Sequence, residues 1–327
     1  MAMIERNIND IAGILCQNVG NTPLLPLLSL SKNLDIKVYA KMEMKNPSGS
    51  VKDRSATNII VNAIYNGEVN AETTIIESSS GNMGIALGRI CKMLGLKSYI
   101  VIDPHINPHA KKLLQNYGSR LIEVKEKDKN QGYLSNRLAK VQELLSNTHN
   151  SYWTDQYHNL NVRLAHEHIF TEIVNQLGHA PDYMLVATST CGTIRGIADA
   201  IDQSSSHTTL IAVDAKGSVL FDIEPQERFI PGMGASHPSS FLQKNQIKDH
   251  VLISDHLAIE TCRNFLDQEG MLIGGSSGAI VAALQQIREQ LPPKASVVLL
   301  FPDSGERYLD TIYNDNWVKQ VMEKVAV

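Results

Sequence analysis

Apolar residues along this chain fall into two registers. Short, nearly continuous apolar runs occur at 74–77, 98–102, 120–124, 183–187, 209–214 and 297–301. Between most of them lie longer stretches in which apolar positions recur every three or four residues. Runs of the first kind read as strands buried on both faces, and stretches of the second kind as helices with one apolar side. The helices predicted this way cover 11–19, 56–65, 85–94, 108–117, 132–145, 166–177, 194–201, 257–269 and 274–290. Over 56–65, for example, Ile59, Ile60, Ala63 and Ile64 share a face, and Asn66 and Gly67 stop the helix. An extended apolar piece at 24–28 and a strand at 37–43 precede the series. Strand, loop and helix in repeated alternation predict an α/β fold, with mostly parallel sheets covered by helices on both faces.

At 327 residues the chain is long enough for two lobes, and the polar stretch 146–151 is a natural crossover between them. The segment 225–246 is long, irregular and rich in turn residues, which suits a lid or functional loop. A net charge of -4 argues against nucleic acid or an anionic membrane as partner, so an anionic substrate would need local cationic groups. Cys16, Cys91, Cys191 and Cys262 are scattered, which suits a reducing compartment. His105 and His109 flank Pro108, and His166 lies two residues from His168, but neither pair has a cysteine or carboxylate at ligand spacing. No metal site is expected. The polar first ten residues and the strand-length apolar runs predict neither signal peptide nor membrane span, and the expected location is cytoplasmic.

The candidate chemistry begins at 46–54, NPSGSVKDR, where a turn delivers Lys52 to the mouth of a helix. Such a lysine can bind phosphate, sit as a surface charge, or form a Schiff base. Two Ser/Thr/Gly turns, at 78–84 and 189–193, each join a strand to a helix, and a third glycine–serine helix entry lies at 274–278. Each can cap its helix or hold an anion against the helix N-terminus. Neither turn has the spacing of a Walker or dinucleotide loop. A loop lysine together with several anion cradles is the set that a phosphorylated, Schiff-base-forming cofactor requires.

Taken in order, NPSGSVKDR, ESSSGNMGIAL at 77–87, STCGT at 189–193, PGMGA at 231–235, GGSSGA at 274–279 and PDSGERYL at 302–309 resemble the cysteine synthase / cystathionine β-synthase family. That resemblance implies a two-lobed, fold type II, pyridoxal 5'-phosphate (PLP) enzyme like the β-subunit of tryptophan synthase. It implies a smaller, mobile substrate-loop domain at 45–155, with an N-terminal helix over 1–18 packed on it. A larger cofactor-binding domain would comprise 19–44 and 156–327. Lys52 would be the Schiff-base lysine and proton carrier, Asn82 would bond the ring hydroxyl, and Ser276 the pyridine nitrogen. Ser189, Thr190, Cys191, Gly192 and Thr193 would cup the cofactor phosphate. Ser79, Ser80, Gly81 and Met83 would receive the substrate carboxylate, with Gln156 reaching in from the other lobe. The family also implies a homodimer.

Several stretches depart from cysteine synthase. The phosphate turn reads Ser-Thr-Cys-Gly-Thr where Gly-Thr-Gly-Gly-Thr is usual, and 132–141, 152–157 and 213–219 also differ. These variants resemble the N-(2-amino-2-carboxyethyl)-L-glutamate synthases, which serve 2,3-diaminopropionate and siderophore biosynthesis. The implied reaction is β-replacement through an α-aminoacrylate, with O-phospho-L-serine losing phosphate and L-glutamate adding its amine. Two such anionic substrates call for extra donors, and Arg137 and Lys216 are the candidates, with Tyr157 and Ser189 as hydroxyls. The alternatives are a cysteine synthase using O-acetylserine or O-phosphoserine with sulfide, and a catalytically silent protein of the same fold that binds a partner.

Overall fold

The structure is a computed structural model, and it describes residues 8–127, 132–222 and 225–325. Residues 1–7 of the expected N-terminal helix lie outside the described residues. In chain order the helices are α1 (Ile8–Gln17), α2 (Leu28–Leu34), α3 (Lys52–Tyr65), α4 (Asn82–Leu94), α5 (Pro108–Tyr117), α6 (Leu134–Asn147), α7 (Asn161–Leu177), α8 (Gly192–Gln203), α9 (Asp255–Glu269), α10 (Gly275–Ile287) and α11 (Asp315–Val325). The strands are β1 (Leu24–Pro26), β2 (Lys37–Met42), β3 (Thr74–Ser78), β4 (Lys97–Ile102), β5 (Arg120–Glu123), β6 (Ser151–Trp153), β7 (Tyr183–Ala187), β8 (Thr209–Ala215), β9 (Asp249–Ile253) and β10 (Ser296–Phe301).

The chain divides into two compact units. The first comprises Met1–Gly20, Asn46–Ser48 and Lys52–Ala165, and the second Asn21–Lys45, Gly49–Val51 and His166–Val327. The first holds a four-stranded sheet in the order β5-β4-β3-β6, parallel throughout. Period-two alternation along β4 explains why its apolar run is continuous. Ile100 and Ile102 enter one cluster with Ile85, Ala110 and Leu114 from α4 and α5. Val101 faces the other way, with Ile76 and with Val141 from α6. Cutting the fully buried Leu114 back to alanine would cost about 2–5 kcal/mol.

The second unit is built on a six-stranded sheet in the order β1-β2-β10-β7-β8-β9, in which only the β1–β2 pair is antiparallel. Its central strand, β10, is buried at every position, and so is nearly all of α10. Small residues on α10 let α9 approach: a Cβ at Gly278 would stand 2.3 Å from Cys262 Sγ. The fully buried Lys41 is tolerated because Glu172 (2.7 Å), the Thr22 carbonyl (2.6 Å) and Gln176 (3.1 Å) surround its ammonium group.

Four elements lie where the sequence pattern predicts none. The expected crossover at 146–151 runs into β6, which pairs with β3 from Thr74↔Ser151 to Ile76↔Trp153. Three half-buried residues at a sheet edge carry no continuous apolar run. The pairing joins this part of the chain to the first unit, which runs to Ala165. The edge strand β9 is likewise mostly exposed or half-buried. Helix α2 follows the extended piece at 24–28 and shares only Leu28 with it, and α11 seats Trp317, Val318, Val321 and Met322 on the second unit's core. No helix among the described residues is long and apolar enough to cross a membrane.

Candidate active site

The lysine loop is shaped from both sides. Gly49 has φ +85, which calls for glycine, and a Cβ there would stand 2.9 Å from the Arg307 guanidinium and displace it. Ser50 bridges to Asp303, and the Val51 N–H donates to the Pro302 carbonyl at 2.9 Å. Within the first unit, the fully buried Asp53 accepts from the Ser48 N–H at 3.0 and 3.1 Å and from its hydroxyl at 2.6 Å. Lys52, the first residue of α3, thus sits between two braced neighbours and is itself partly buried.

Also in the first unit, the turn at 79–83 leads from β3 into α4. The helix has no N-cap side chain at Gly81, and Ser79 takes that part from two residues upstream. Its hydroxyl accepts from the N–H groups of Gly81 (3.3 Å) and Gly84 (3.0 Å). Ser80 is a hub. Its hydroxyl donates to Asp103 Oδ2 (2.9 Å) and accepts from the Asp103 N–H (3.1 Å) and Arg137 Nη1 (3.1 Å). Arg137 closes the triangle with an ion pair to Asp103 at 3.1 Å, its side chain only 12% exposed. Among the described residues nothing accepts from the buried Arg137 Nε. Asn82 opens α4 half-buried, and Met83 is buried behind it.

Glu77, the penultimate residue of β3, lies fully inside the protein. It accepts from the Ser78 N–H (2.6 Å), the Thr154 hydroxyl (2.5 Å) and the Gln156 N–H (3.2 Å). Burial pushes its acid up to about 7 even though all three bonds pull it down. Gln156 belongs to this unit rather than to the other, and its side-chain amide donates to the Ser78 carbonyl at 3.0 Å. The Tyr157 residue is half-buried, but burial around its hydroxyl pushes the phenol up to about 12, with Arg137 pulling the other way. The first unit therefore gathers Ser79, Ser80, Arg137, Gln156 and Tyr157 around residues that motif reading misses: Glu77, Asp103 and Thr154. The signal for Glu77 is a carboxylate directly after Ile75 and Ile76 in a strand buried at every position.

In the second unit, the turn 188–193 leads from β7 into α8. Cys191 holds a left-handed conformation (φ 62) and offers no side-chain cap. The first intrahelical bond runs from the Arg195 N–H to the Cys191 carbonyl, so the N–H groups of Gly192, Thr193 and Ile194 precede the ladder. The turn is braced from 234–239. The Gly234 N–H donates to the Thr188 carbonyl (2.7 Å), Ser189 donates to the Gly234 carbonyl (3.1 Å), and Ser239 donates to the Thr190 carbonyl (2.7 Å). The Ser189 hydroxyl proton is thereby used internally. The Thr193 hydroxyl lies 3.4 Å from His166 Nε2. Ser276 is buried in the first turn of α10, which has no side-chain cap either, and the neighbouring buried Ser277 hydroxyl has no partner among the described residues. Lys216 is exposed just past β8.

Uncapped backbone N–H groups at the starts of α8 and α10, a nearly buried arginine bonded to Ser80, and a braced lysine loop are the features that comparison with known proteins interprets. The model of the pyridoxal-phosphate-dependent enzyme family matches residues 15–303. The chain belongs to this family. Among solved structures, it is similar to the O-acetylserine-dependent cystathionine β-synthase from Helicobacter pylori, with 29% identity, a TM-score of 0.84, and coverage of 96% of this chain and 100% of that one. A hydrogen sulfide-producing enzyme from Fusobacterium nucleatum gives 28% identity and a TM-score of 0.84, covering 94% and 100%. O-Ureido-L-serine synthase, as an alanine variant with O-ureido-L-serine bound, gives 26% and 0.83, covering 94% and 97%.

Membership makes this a PLP-dependent enzyme of the cysteine synthase type, and the residues present fit the cofactor. The uncapped start of α8 suits a phosphate dianion. The start of α10 offers buried hydroxyls, one of them unsatisfied, as a neutral ring nitrogen requires.

Proposed function

We propose that this enzyme carries out β-replacement on O-phospho-L-serine with L-glutamate, giving N-(2-amino-2-carboxyethyl)-L-glutamate and phosphate. The observation that carries the proposal is Arg137: a nearly buried guanidinium joined to Ser80 of the 79–83 loop, with its Nε still lacking an acceptor. An N–H buried in that way is costly until an anion takes it, and a phosphate or second carboxylate does so.

PLP, when bound, supplies the electron sink that makes loss of the α-proton and of a β-substituent feasible. Lys52 would hold the cofactor, with its phosphate on 189–193, its ring hydroxyl on Asn82 and its ring nitrogen on Ser276. A hydroxyl at that nitrogen adds no positive charge, which favours elimination over long-lived carbanions. The 79–83 loop and Gln156 would orient the substrate carboxylate, and Lys52 Nζ would take the α-proton. The Cβ–O bond breaks and phosphate leaves with its electron pair beside Arg137 and Tyr157. The glutamate amine then forms the new Cβ–N bond and loses a proton, and the α-proton is returned by Lys52. Serine derivatives with phosphate and glutamate with two carboxylates are the reactants for which Arg137 is suited. Lys216, exposed beyond β8, enters this reading only as a charge near the end of that strand.

A second reading keeps the same chemistry with sulfide as nucleophile and O-acetylserine or O-phosphoserine as donor. It is favoured by the PDSGERYL ending and by structural relatives described as O-acetylserine-dependent or hydrogen sulfide-producing. The product formed with glutamate against sulfide separates the nucleophiles, and the variant Arg137→Ala tests the donor. If phosphate recognition rests on Arg137, kcat/KM for O-phosphoserine falls by about 10- to 100-fold while cofactor affinity and use of O-acetylserine hold. An equal loss for both donors, or a parallel loss of cofactor, refutes the phosphoserine reading.

A further inference from the structure

We infer that Glu77 is a positioning residue for substrate binding: its carboxylate fixes the 79–83 loop and Gln156 to one another, so that the substrate's α-carboxylate meets donors already in place. The inference rests on the reading that this loop and Gln156 receive that carboxylate.

The bonds join two segments 77 residues apart in sequence. Glu77 takes the Ser78 N–H on one oxygen and both the Thr154 hydroxyl and the Gln156 N–H on the other. Gln156 answers with its side-chain bond to the Ser78 carbonyl. An ionised carboxylate accepts on both oxygens and donates nothing, which matches three converging donors. Glutamine has one accepting oxygen and turns an amide NH2 toward the remaining donors. A strand that needed only packing would carry an apolar residue here, as Ile75 and Ile76 do at the preceding positions, since burying a carboxylate is unfavourable. A local rule broken beside a binding loop points to function.

The charged and titratable groups facing Glu77 are few. Asp155 lies on the same loop as Thr154, and opposes ionisation of Glu77. Exposed His158 is paired with that aspartate at 3.0 Å. Tyr157 stands on the same loop, and Arg137 from α6 and Asp103 from the end of β4 act on it in turn. Among the described residues none is a cation in contact with Glu77, and the bonds recorded to its carboxylate are hydrogen bonds. Below about pH 7 the acid is protonated, and its O–H then stands among donors and releases one of them. Substrate affinity is therefore expected to fall as pH drops through that value.

The test uses cofactor-loaded enzyme and steady-state kinetics with O-phosphoserine and O-acetylserine between pH 6 and 8.5. For Glu77→Gln, KM for both donors should rise about tenfold or more with a smaller change in kcat, and the acid limb of kcat/KM should flatten. Thr154→Val, which removes one donor, should move that limb upward by about half a pH unit or more, and Thr154→Ser should restore it. An unchanged KM and an unchanged acid limb in Glu77→Gln overturn the inference. Should that variant fail to fold or load cofactor, an unmoved limb in Thr154→Val overturns it instead. The effect must be common to both donors, whereas the phosphoserine reading demands a difference between them, so the two fail separately. A wild-type holoenzyme that takes neither donor overturns both.

Discussion

Two serine-rich turns, one in each unit, look alike in sequence and differ in what they leave for a ligand. At 79–83 the side chains are committed inward: Ser79 caps two N–H groups of its own turn, and Ser80 is locked between Asp103 and Arg137. At 189–193 the side chains brace against 234–239, and the helix N–H groups are left uncapped. The first turn thus presents a shaped backbone held by a charged network, and the second a bare helix terminus. A dianion that stays bound suits the second, because the terminus supplies several N–H groups and a favourable dipole. A substrate that must enter and leave suits the first, where the donors are positioned by side chains that can be tuned.

The largest expected effect ignores the distinction and removes the reaction. Lys52→Ala should lower turnover by about a thousandfold or more, and the visible absorbance of the lysine-bound cofactor should vanish. Turnover within tenfold of wild type would show that another group carries the proton.

The next pair sets the two turns against each other. At Gly234, φ is +71 and a Cβ would stand 2.2 Å from Arg228 Nη1, so Gly234→Ala should displace the brace of the second turn. Cofactor affinity is expected to fall about tenfold, with KM for the amino acid little changed once cofactor saturates. Asp103→Asn should do the reverse, raising KM severalfold at unchanged cofactor affinity, because it loosens Ser80, Arg137 and the His105 N–H, all within the first unit. Cofactor titration and substrate kinetics on both variants read the contrast. If both weaken cofactor alike, the turns do not divide the work.

A smaller effect concerns stability. The carboxyl of Glu77 is held up at about 7 in the folded protein, against the usual carboxylate range near 4.5 when unfolded. Between those values the folded state binds the extra proton, so stability is expected to decline as pH rises across that window, by up to a few kcal/mol. Thermal melting of wild type against Glu77→Gln isolates the contribution, since the decline should be missing in the variant. Substrate affinity moves the opposite way across the same range, which separates positioning from simple stabilisation.

Much of this is legible in the residues. β3, β4, β7, β8 and β10 announce themselves because apolar residues run together at their centres, where both faces are covered. Lys52 is legible only in company: the Pro-Gly-Ser turn places it at a helix mouth, and the anion cradles and family motifs elsewhere in the chain make it the candidate Schiff-base lysine. The edge strands β6 and β9 are not, although the edge strand β5 is: β6 has three residues and β9 opens on Asp249 and His250, so neither carries a long enough apolar run. Nor is the network around Ser80: Asp103 lies at the end of β4 and Arg137 on α6, and only the β5-β4-β3-β6 order brings them to one serine. The Ser189 hydroxyl, read as a donor to an anion, instead spends its proton on Gly234, a partner 45 residues away.

The central claim is tested most directly by a competition. Cofactor-loaded enzyme is given O-phospho-L-serine with equal concentrations of L-glutamate and sulfide, and the products are separated by mass. The account predicts N-(2-amino-2-carboxyethyl)-L-glutamate as the main product, with phosphate released in equal amount. Cysteine as the main product would contradict it.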